Sequence, residues 1–162
     1  MNLIRITEND VDRLAPLVAD FRVTLNGYRG ISSQPKVEAA REEIGEFLDA
    51  GFPVFAAEDD GALAGYMVCR IEEPCLWVEH LFVREAYRRR GVATLLFEKA
   101  EALAASMGED TVFNFVHPNN RGMIEFLRTK GYTVLNMIEI RKPYPGEQLQ
   151  TTIPVGDAVF DY

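Results

Sequence analysis

The sequence contains little cysteine and no long hydrophobic run, and both absences narrow the class of protein. Cys69 and Cys75 are the only cysteines, and their spacing matches neither a zinc site nor a redox pair, so we expect no redox or acyl-relay role. No apolar stretch approaches the roughly 20 residues of a membrane-spanning helix. Charged residues interrupt the N-terminal segment MNLIRITEND, so we expect no export signal. The predicted location is the reducing cytoplasm, without membrane association.

Basic residues are also scarce. The chain has 17 Lys and Arg against 25 Asp and Glu, a net charge of −8, which argues against nucleic acid as a partner. Residues 38–60 hold eight of the acids and a single base, Arg41. This acidic segment is either a solvated helix face or a source of a field that attracts cations.

Length and hydrophobic periodicity predict a single α/β domain over residues 1–162, with a core at 1–141 and a C-terminal tail at 142–162. A chain of this length can bury a core without disulfides or a structural metal. The expected strands cover 3–6, 52–58, 63–71, 76–83, 111–116 and 132–140, with a short one possible at 151–155. The expected helices begin after Thr7, at 37, at Gly91 and at Asn119 or Asn120, and residues 27–35 are expected to form a loop. This order gives a mixed sheet flanked by helices, with 76–83 in its centre.

Arginines cluster directly before the third predicted helix. The group comprises Arg84, Arg88, Arg89 and Arg90, and Gly91 follows it. The first turn of a helix presents backbone N–H groups without partners at the positive end of the helix dipole, which favours anions such as a diphosphate. The first acid in this helix is Glu98, more than one turn inside. A basic loop before an ordinary core helix is the alternative.

Two segments resemble motifs of the GNAT superfamily of N-acetyltransferases. Arg88-x-x-Gly91-x-Ala93 resembles the R/Q-x-x-G-x-G/A signature of that family. Residues 120–132, which begin with Asn120 and end in Gly131-Tyr132, resemble a later segment in which Asn opens a helix that ends in Gly-Phe or Gly-Tyr. The motifs occur in the family's order, and the matching element order covers residues 1–141. The resemblance implies the GNAT acyl-CoA N-acyltransferase fold.

The resemblance also implies acetyl-CoA as the donor, with no metal. The amides of residues 89–94 would hold the pyrophosphate, and the backbone of 81–83 would pair with the pantetheine arm. Asn120 would bind the coenzyme near that arm or act only as a helix N-cap. The implied coenzyme-binding residues are Leu81, Phe82, Val83, Arg88, Arg89, Arg90, Gly91, Val92, Ala93, Thr94 and Asn120.

The sequence departs from the family at two catalytic positions. Leu127 stands where many members carry a Tyr that acts as general acid, and Phe115 stands where ribosomal-protein acetyltransferases carry a Glu. The usual acid is therefore missing, and a ribosomal-protein substrate is not expected. The group that protonates the leaving thiolate stays open between solvent and three tyrosines, which are Tyr87, Tyr132 and Tyr144.

Glu79 is the candidate general base. It lies on the predicted central strand, two residues after Trp77 and two before the expected pantetheine contact, and some relatives place a base at this point. An apolar setting suits a carboxylate that accepts a proton near pH 7. The alternative is a structural carboxylate paired with an arginine. We expect His80 to be a packing residue on the opposite face, and His117 to be a loop residue that could line the cofactor cleft.

The resemblance thus implies an N-acetyltransferase in which a primary amine attacks the thioester directly. The acidic segment favours a small cationic amine as acceptor. Three alternatives stay open: a non-catalytic module that senses acyl-CoA, an acetyltransferase of protein or peptide amines, and a transferase of longer acyl groups or to hydroxyl acceptors. A homodimer formed through the C-terminal tail also stays open.

Overall fold

The computed structural model describes residues 1–149 and 151–162, which form two compact units at 1–126 and 127–162. The first unit contains β1 (Asn2–Arg5), α1 (Val11–Tyr28), α2 (Val37–Asp49), β2 (Val54–Asp59), β3 (Ala62–Glu72), β4 (Cys75–Val83), α3 (Val92–Ser106) and β5 (Phe113–Asn114). Helix α4 (Arg121–Thr129) begins in the first unit and ends in the second. The second unit adds β6 (Thr152–Val155) and β7 (Ala158–Asp161), which pair antiparallel. No helix within the described ranges is long and apolar enough to span a bilayer.

The first unit is built on a five-stranded sheet in the order β1-β2-β3-β4-β5. Strands β1 to β4 pair antiparallel, and β5 pairs parallel with β4. The turn at Asp60-Gly61 joins β2 to β3, as its residues predict, because both adopt the positive φ that a tight hairpin needs. The predicted α/β fold with a mixed sheet is confirmed, and β4 lies inside the sheet.

The main core lies between the sheet and helices α1 and α2. Apolar residues recur along α1 at helical spacing, and Leu14, Leu17 and Val18 are completely buried. They belong to one cluster with Ile44 of α2 and Tyr66 of β3. This packing fixes α1 and α2 on the sheet beside β3 and β4, where the candidate catalytic residues lie.

Three predicted elements need correction. Residues 132–140 form no strand, and the apolar side chains at both alternating positions are exposed, including Val134 at 86% and Leu135 at 76%. The β-propensity of this segment was misleading because a strand also needs a pairing partner. The strand predicted at 111–116 shrinks to Phe113–Asn114, and α1 continues to Tyr28 through part of the predicted loop. The short strand at 151–155 is confirmed as β6, whereas β7 was not predicted.

Candidate active site

A fork in the sheet is the principal feature of the first unit. Strand β4 pairs with β3 as far as Val83, but β5 pairs with β4 only at Trp77 and Val78. From residue 79 to 83, the second edge of β4 has no strand beside it among the described residues. An unpaired strand edge offers backbone N–H and C=O groups that an extended ligand can join as an added strand.

The loop after β4 ends in an uncapped helix N-terminus. Gly91 adopts a left-handed conformation with φ of 83° and precedes α3, whose first turn has no acidic residue and no side-chain cap. Arg89 also has a positive φ, of 60°. An added Cβ on Gly91 would meet no atom within 4 Å. The N–H groups of Val92, Ala93 and Thr94, in the first turn at the positive end of the helix, therefore receive no side-chain cap.

The arginines of this loop serve different contacts. Arg88 donates from Nε to the Val83 carbonyl at 3.1 Å and so holds the loop against the end of β4. Arg90 donates from Nη2 to Asp59 at 3.3 Å, and its guanidinium lies 5.2 Å from the centre of the Tyr87 ring. These contacts order the loop, while Arg89 forms no ion pair with the described residues.

Gly65 brings the sheet close to the loop, and the sequence analysis missed it. It lies opposite Val83 in the β3–β4 ladder. A Cβ at this position would lie 2.6 Å from the Phe82 carbonyl oxygen and 3.1 Å from Cγ1 of Val92. Only glycine permits this approach, which sets the first residue of α3 directly above β3. A lone glycine within an apolar strand is the signal that could have identified it.

Asn114 of β5 carries an unsatisfied acceptor beside the fork. Its Nδ2 donates to the Val112 carbonyl at 3.0 Å, which fixes the orientation of the amide. Its Oδ1 is buried and has no hydrogen-bond partner in the part of the chain that the structure describes. A buried acceptor without a partner costs free energy unless a ligand supplies a donor. A ligand arm with amide N–H groups, such as pantetheine, fits this requirement.

Glu79 sits at a β-bulge. Val68 pairs with His80 and Cys69 pairs with Val78, so Glu79 is the extra residue of β4 and has no partner in β3. Bulges redirect a side chain from the regular alternation of a strand. Arg70 donates from Nε to Oε1 of Glu79 at 2.5 Å, and both side chains are about three-quarters buried, being 23% and 24% exposed. Glu79 is thus paired with an arginine, as the structural alternative predicted, and its surroundings are not purely apolar. The hydrogen bond to Glu79 raises the pKa of Arg70.

An aromatic stack adjoins this ion pair. The Trp77 ring stacks on Phe113 at 4.7 Å and on Phe115 at 4.8 Å between ring centres. The Arg70 guanidinium lies 5.5 Å from the Trp77 ring and 6.0 Å from the Phe115 ring. Phe115 is 53% exposed, which is unusual for a large aromatic side chain and leaves an apolar surface near the Arg70 guanidinium.

His80 is a buried packing residue, as predicted, although it is also hydrogen-bonded. Its ring lies 4.5 Å from Phe21 and 5.1 Å from Phe47, centre to centre. Arg22 donates from Nη2 to Nε2 at 3.4 Å, so Nδ1 carries the proton and donates to the Tyr66 hydroxyl at 3.1 Å. Burial, together with Arg22, lowers the pKa of His80 to about 3.

The nearby carboxylate of Glu43 does not restore the pKa of His80. Its Oε1 lies 3.5 Å from Nε2 of His80, but the carboxylate already accepts two hydrogen bonds from the Arg22 guanidinium. Because Arg22 neutralises Glu43, the carboxylate does little to stabilise a protonated His80 ring that burial has deprived of water. His80 therefore stays neutral and cannot act as an acid near neutral pH.

Two other candidate residues, His117 and Asn120, lie in the segment between β5 and α4. His117, in the loop after β5, stacks on Tyr28 at 5.9 Å and accepts a hydrogen bond at Nδ1 from the backbone N–H of Asn119 at 3.1 Å. Burial, with a smaller effect of Arg29, lowers its pKa. Asn120 accepts at Oδ1 from the backbone N–H of Met123 at 3.1 Å, which is the N-cap contact of α4.

In the second unit, Leu127 is buried, Tyr132 is half-buried, and Tyr144 is exposed with the Arg141 guanidinium 4.6 Å from its ring. Both cysteines are free thiols, and burial raises the pKa of Cys69 to about 12. Among residues 1–149 and 151–162, no group of three or more His, Cys, Asp and Glu side chains is placed to hold a metal ion.

Comparisons with known proteins identify the family and the fold. The model of the acetyltransferase (GNAT) family matches residues 20–132. The Drosophila melanogaster protein named probable N-acetyltransferase san is 30% identical over 99 residues, which are 58% of this chain and 54% of that protein. The chain therefore spans about half the length of the curated relative that it matches.

Solved structures with a similar fold include a ribosomal-protein acetyltransferase and an aminoglycoside acetyltransferase. The ribosomal-protein-alanine N-acetyltransferase of Brucella melitensis has a TM-score of 0.70 and 16% identity over 88% of this chain and 99% of that chain. The aminoglycoside acetyltransferase AAC(6')-Iy, solved with the bisubstrate analogue CoA-S-monomethyl-acetylneamine, has a TM-score of 0.67 and 16% identity over 88% and 97%. At these identities the likeness concerns the fold.

Proposed function

Since the chain belongs to the acetyltransferase (GNAT) family, we propose that it is an N-acetyltransferase that transfers the acetyl group of acetyl-CoA to a primary amine. The observation that carries this proposal is the fork between β4 and β5, which ends at the uncapped Gly91 loop. The open edge of β4 is followed along the chain by the N-terminus of α3. The first would suit a pantetheine arm, and the second would suit a diphosphate.

Particular groups of this chain would hold the coenzyme. The N–H groups of Val92, Ala93 and Thr94 would bind the pyrophosphate, with the loop arginines adding positive charge. The backbone of Leu81 and the N–H of Val83, on the free edge of β4, would pair with the pantetheine arm, while the Val83 carbonyl accepts from Arg88. The bound coenzyme would supply the thioester that the amine attacks.

Glu79 is the proposed general base. An amine is mostly ammonium near neutral pH, so a group near the thioester must remove a proton before or during attack. The position of Glu79 at the bulge, where β5 leaves β4, puts its carboxylate at the fork. The Arg70 contact uses only Oε1, so Oε2 is available to the amine or to a bridging water. The departing thiolate would take its proton from solvent or a tyrosine, since Leu127 cannot supply one.

The proposed acceptor is a small cationic amine, supported by the negative charge of the acidic segment. Four of its eight acids form ion pairs: Glu38 with Arg41, Glu43 with Arg22, Glu58 with Arg13, and Asp59 with Arg90. The other four, which are Glu42, Glu46, Asp49 and Asp60, form no ion pair with the described residues and carry a charge of about −4 on α2 and the β2–β3 turn. This field is weaker than the sequence count suggests, but it still attracts cations.

An acceptor screen tests the proposal. Free thiol release from acetyl-CoA would be measured with polyamines, aminoglycosides, amino acids and peptide N-termini, at low and at physiological ionic strength. We expect turnover with cationic amines and a kcat/KM that falls as salt rises, since salt screens the field. A best acceptor that is neutral or acidic would contradict the choice of acceptor, and a peptide would support the alternative of a peptide amine acetyltransferase.

A second comparison separates catalysis from sensing. Coenzyme binding without thiol release for any amine would show a non-catalytic acyl-CoA sensor and would contradict the enzymatic proposal. Preference for a longer acyl-CoA over acetyl-CoA in competition would identify a different donor. We also propose a cytoplasmic location, as the sequence predicts, and fractionation of cells tests it.

A further inference from the structure

Arg70 is the only cationic residue in contact with the proposed base among the described residues, and the sequence analysis did not single it out. It lies on β3 directly opposite Trp77, and it reaches along β4 to the bulged Glu79. A bulged residue lacks the cross-strand neighbour that would normally restrain its side chain. The hydrogen bond from Arg70 Nε to Glu79 Oε1 supplies that restraint.

The guanidinium is itself held in place by several contacts. Its Nη1 donates to Oε1 of Glu72, and its central carbon lies within cation–π distance of the Trp77 and Phe115 rings, at 5.5 and 6.0 Å from their centres. Guanidinium groups that stack on aromatic rings and bind carboxylates lose little further freedom on binding, because their planar fork is already oriented. Arg70 is therefore a rigid support, although it sits on a strand that supplies no other proposed catalytic group.

We propose that Arg70 is a positioning residue for the reaction, and that it fixes the Glu79 carboxylate with Oε1 occupied and Oε2 free to accept the proton. This inference rests on the proposed role of Glu79 as general base. Catalysis by a base depends on its placement to a fraction of an ångström, so loss of the support should reduce turnover even though the carboxylate remains.

The competing explanation is that the Arg70–Glu79 pair only stabilises the hairpin. A structural pair would affect the free energy of unfolding and leave kcat unchanged, whereas a positioning residue affects kcat and acts through Glu79. A double-mutant cycle separates these explanations, because substitutions that act through one group are not additive.

The experiment measures kcat and coenzyme Kd for Arg70→Gln, Glu79→Gln and the double variant, with urea unfolding to confirm that each is folded. We expect Arg70→Gln to lower kcat by about 10–100-fold with little change in coenzyme Kd. In the Glu79→Gln background, the same substitution should change kcat by less than about threefold. Arg70→Lys, which keeps a cation near Glu79, should recover part of the loss.

Arg13→Gln is the matched control, because Arg13 forms an arginine–carboxylate pair with Glu58 away from the fork. It should leave kcat unchanged. Equal losses from Arg70→Gln in both backgrounds, or no loss in either, would overturn the inference about Arg70 while leaving the base intact. If Glu79→Gln alone keeps normal kcat, the proposed base fails and the inference about Arg70 fails with it.

Discussion

The buried His80 should make the stability of the protein depend on pH in a specific direction. In the unfolded chain its pKa returns to about 6.5, whereas in the folded protein burial and the Arg22 guanidinium lower the pKa to about 3. Between these values the unfolded state binds a proton that the folded state does not. The contribution of His80 to the free energy of unfolding should therefore be constant above about pH 6.5 and fall by about 1.4 kcal/mol per pH unit below it.

His80→Gln provides the comparison, since glutamine can still accept from Arg22 and donate to Tyr66 but does not titrate. Urea unfolding, followed by the fluorescence of the single tryptophan, Trp77, would give the free energy from pH 7 down to pH 4. The wild type should lose about 3 kcal/mol more than the variant across that range. The matched variant His117→Gln should keep most of the slope, because His117 is less buried. An identical pH dependence for wild type and His80→Gln, or an imidazole of His80 that titrates near pH 6.5 by NMR, would refute this reasoning.

Three further substitutions test the coenzyme site. Gly91→Val should abolish the stabilisation by coenzyme A, which is about 2.7 kcal/mol at 100 times Kd. The control Gly61→Val changes a glycine with a similar positive φ and equally open surroundings, and it should retain the stabilisation. A full thermal shift with Gly91→Val would show that the phosphate site is misplaced. Gly65→Ala should cost about 1–3 kcal/mol of stability and weaken coenzyme binding, because the added Cβ would displace the end of β4 and the start of α3. Gly45→Ala is the control, since a Cβ there would meet no atom within 4 Å, and it should have neither effect. Unchanged stability of Gly65→Ala would contradict the close contact between Gly65 and the Phe82 carbonyl. Asn114→Leu should weaken coenzyme A binding by about 5–10-fold. It should not change the binding of adenosine 3′,5′-bisphosphate, which lacks the pantetheine arm. Equal losses of affinity for both ligands would disprove the contact between Asn114 and the arm.

Much of the site could be predicted because it depends on local backbone chemistry. Gly91 ends the arginine-rich loop and opens α3 as its sequence indicates, since glycine tolerates the left-handed conformation there and no acid follows in the first turn. The N-cap contact of Asn120 is confirmed, because its side-chain oxygen accepts from the backbone N–H of Met123. Its binding to the coenzyme stays a prediction. These features need only a few neighbouring residues to form.

The partners of Glu79 could be predicted only in part. A turn centred on residues 73 and 74 would place Arg70 opposite Trp77 in a regular hairpin, as the structure has it. The bulge that follows shifts the register by one residue, and no residue type in the strand marks its position. Because the bulge sets where the Glu79 side chain lies, the contact between Arg70 and Glu79 emerges only in the folded sheet.

The error at residues 132–140 has a different origin. The segment is rich in apolar and β-branched residues, such as Val134, Ile138 and Ile140, as strands are, but its backbone pairs with no strand among the described residues. Strand pairing is a non-local property, so a local pattern can indicate the propensity of a segment without indicating its partner.

The central claim is that Glu79 removes the proton from the acceptor amine. The most direct measurement compares kcat and coenzyme Kd of the wild type and Glu79→Gln with the same acceptor, and follows Trp77 fluorescence to report coenzyme binding independently of turnover. If Glu79 is the base, the kcat of Glu79→Gln should be lower than that of the wild type by about 10²–10⁴-fold, with nearly unchanged coenzyme affinity. The acidic limb of the pH–rate profile should be lost in the variant. A Glu79→Gln enzyme within about threefold of the wild-type kcat would contradict the claim and make Glu79 a structural partner of Arg70.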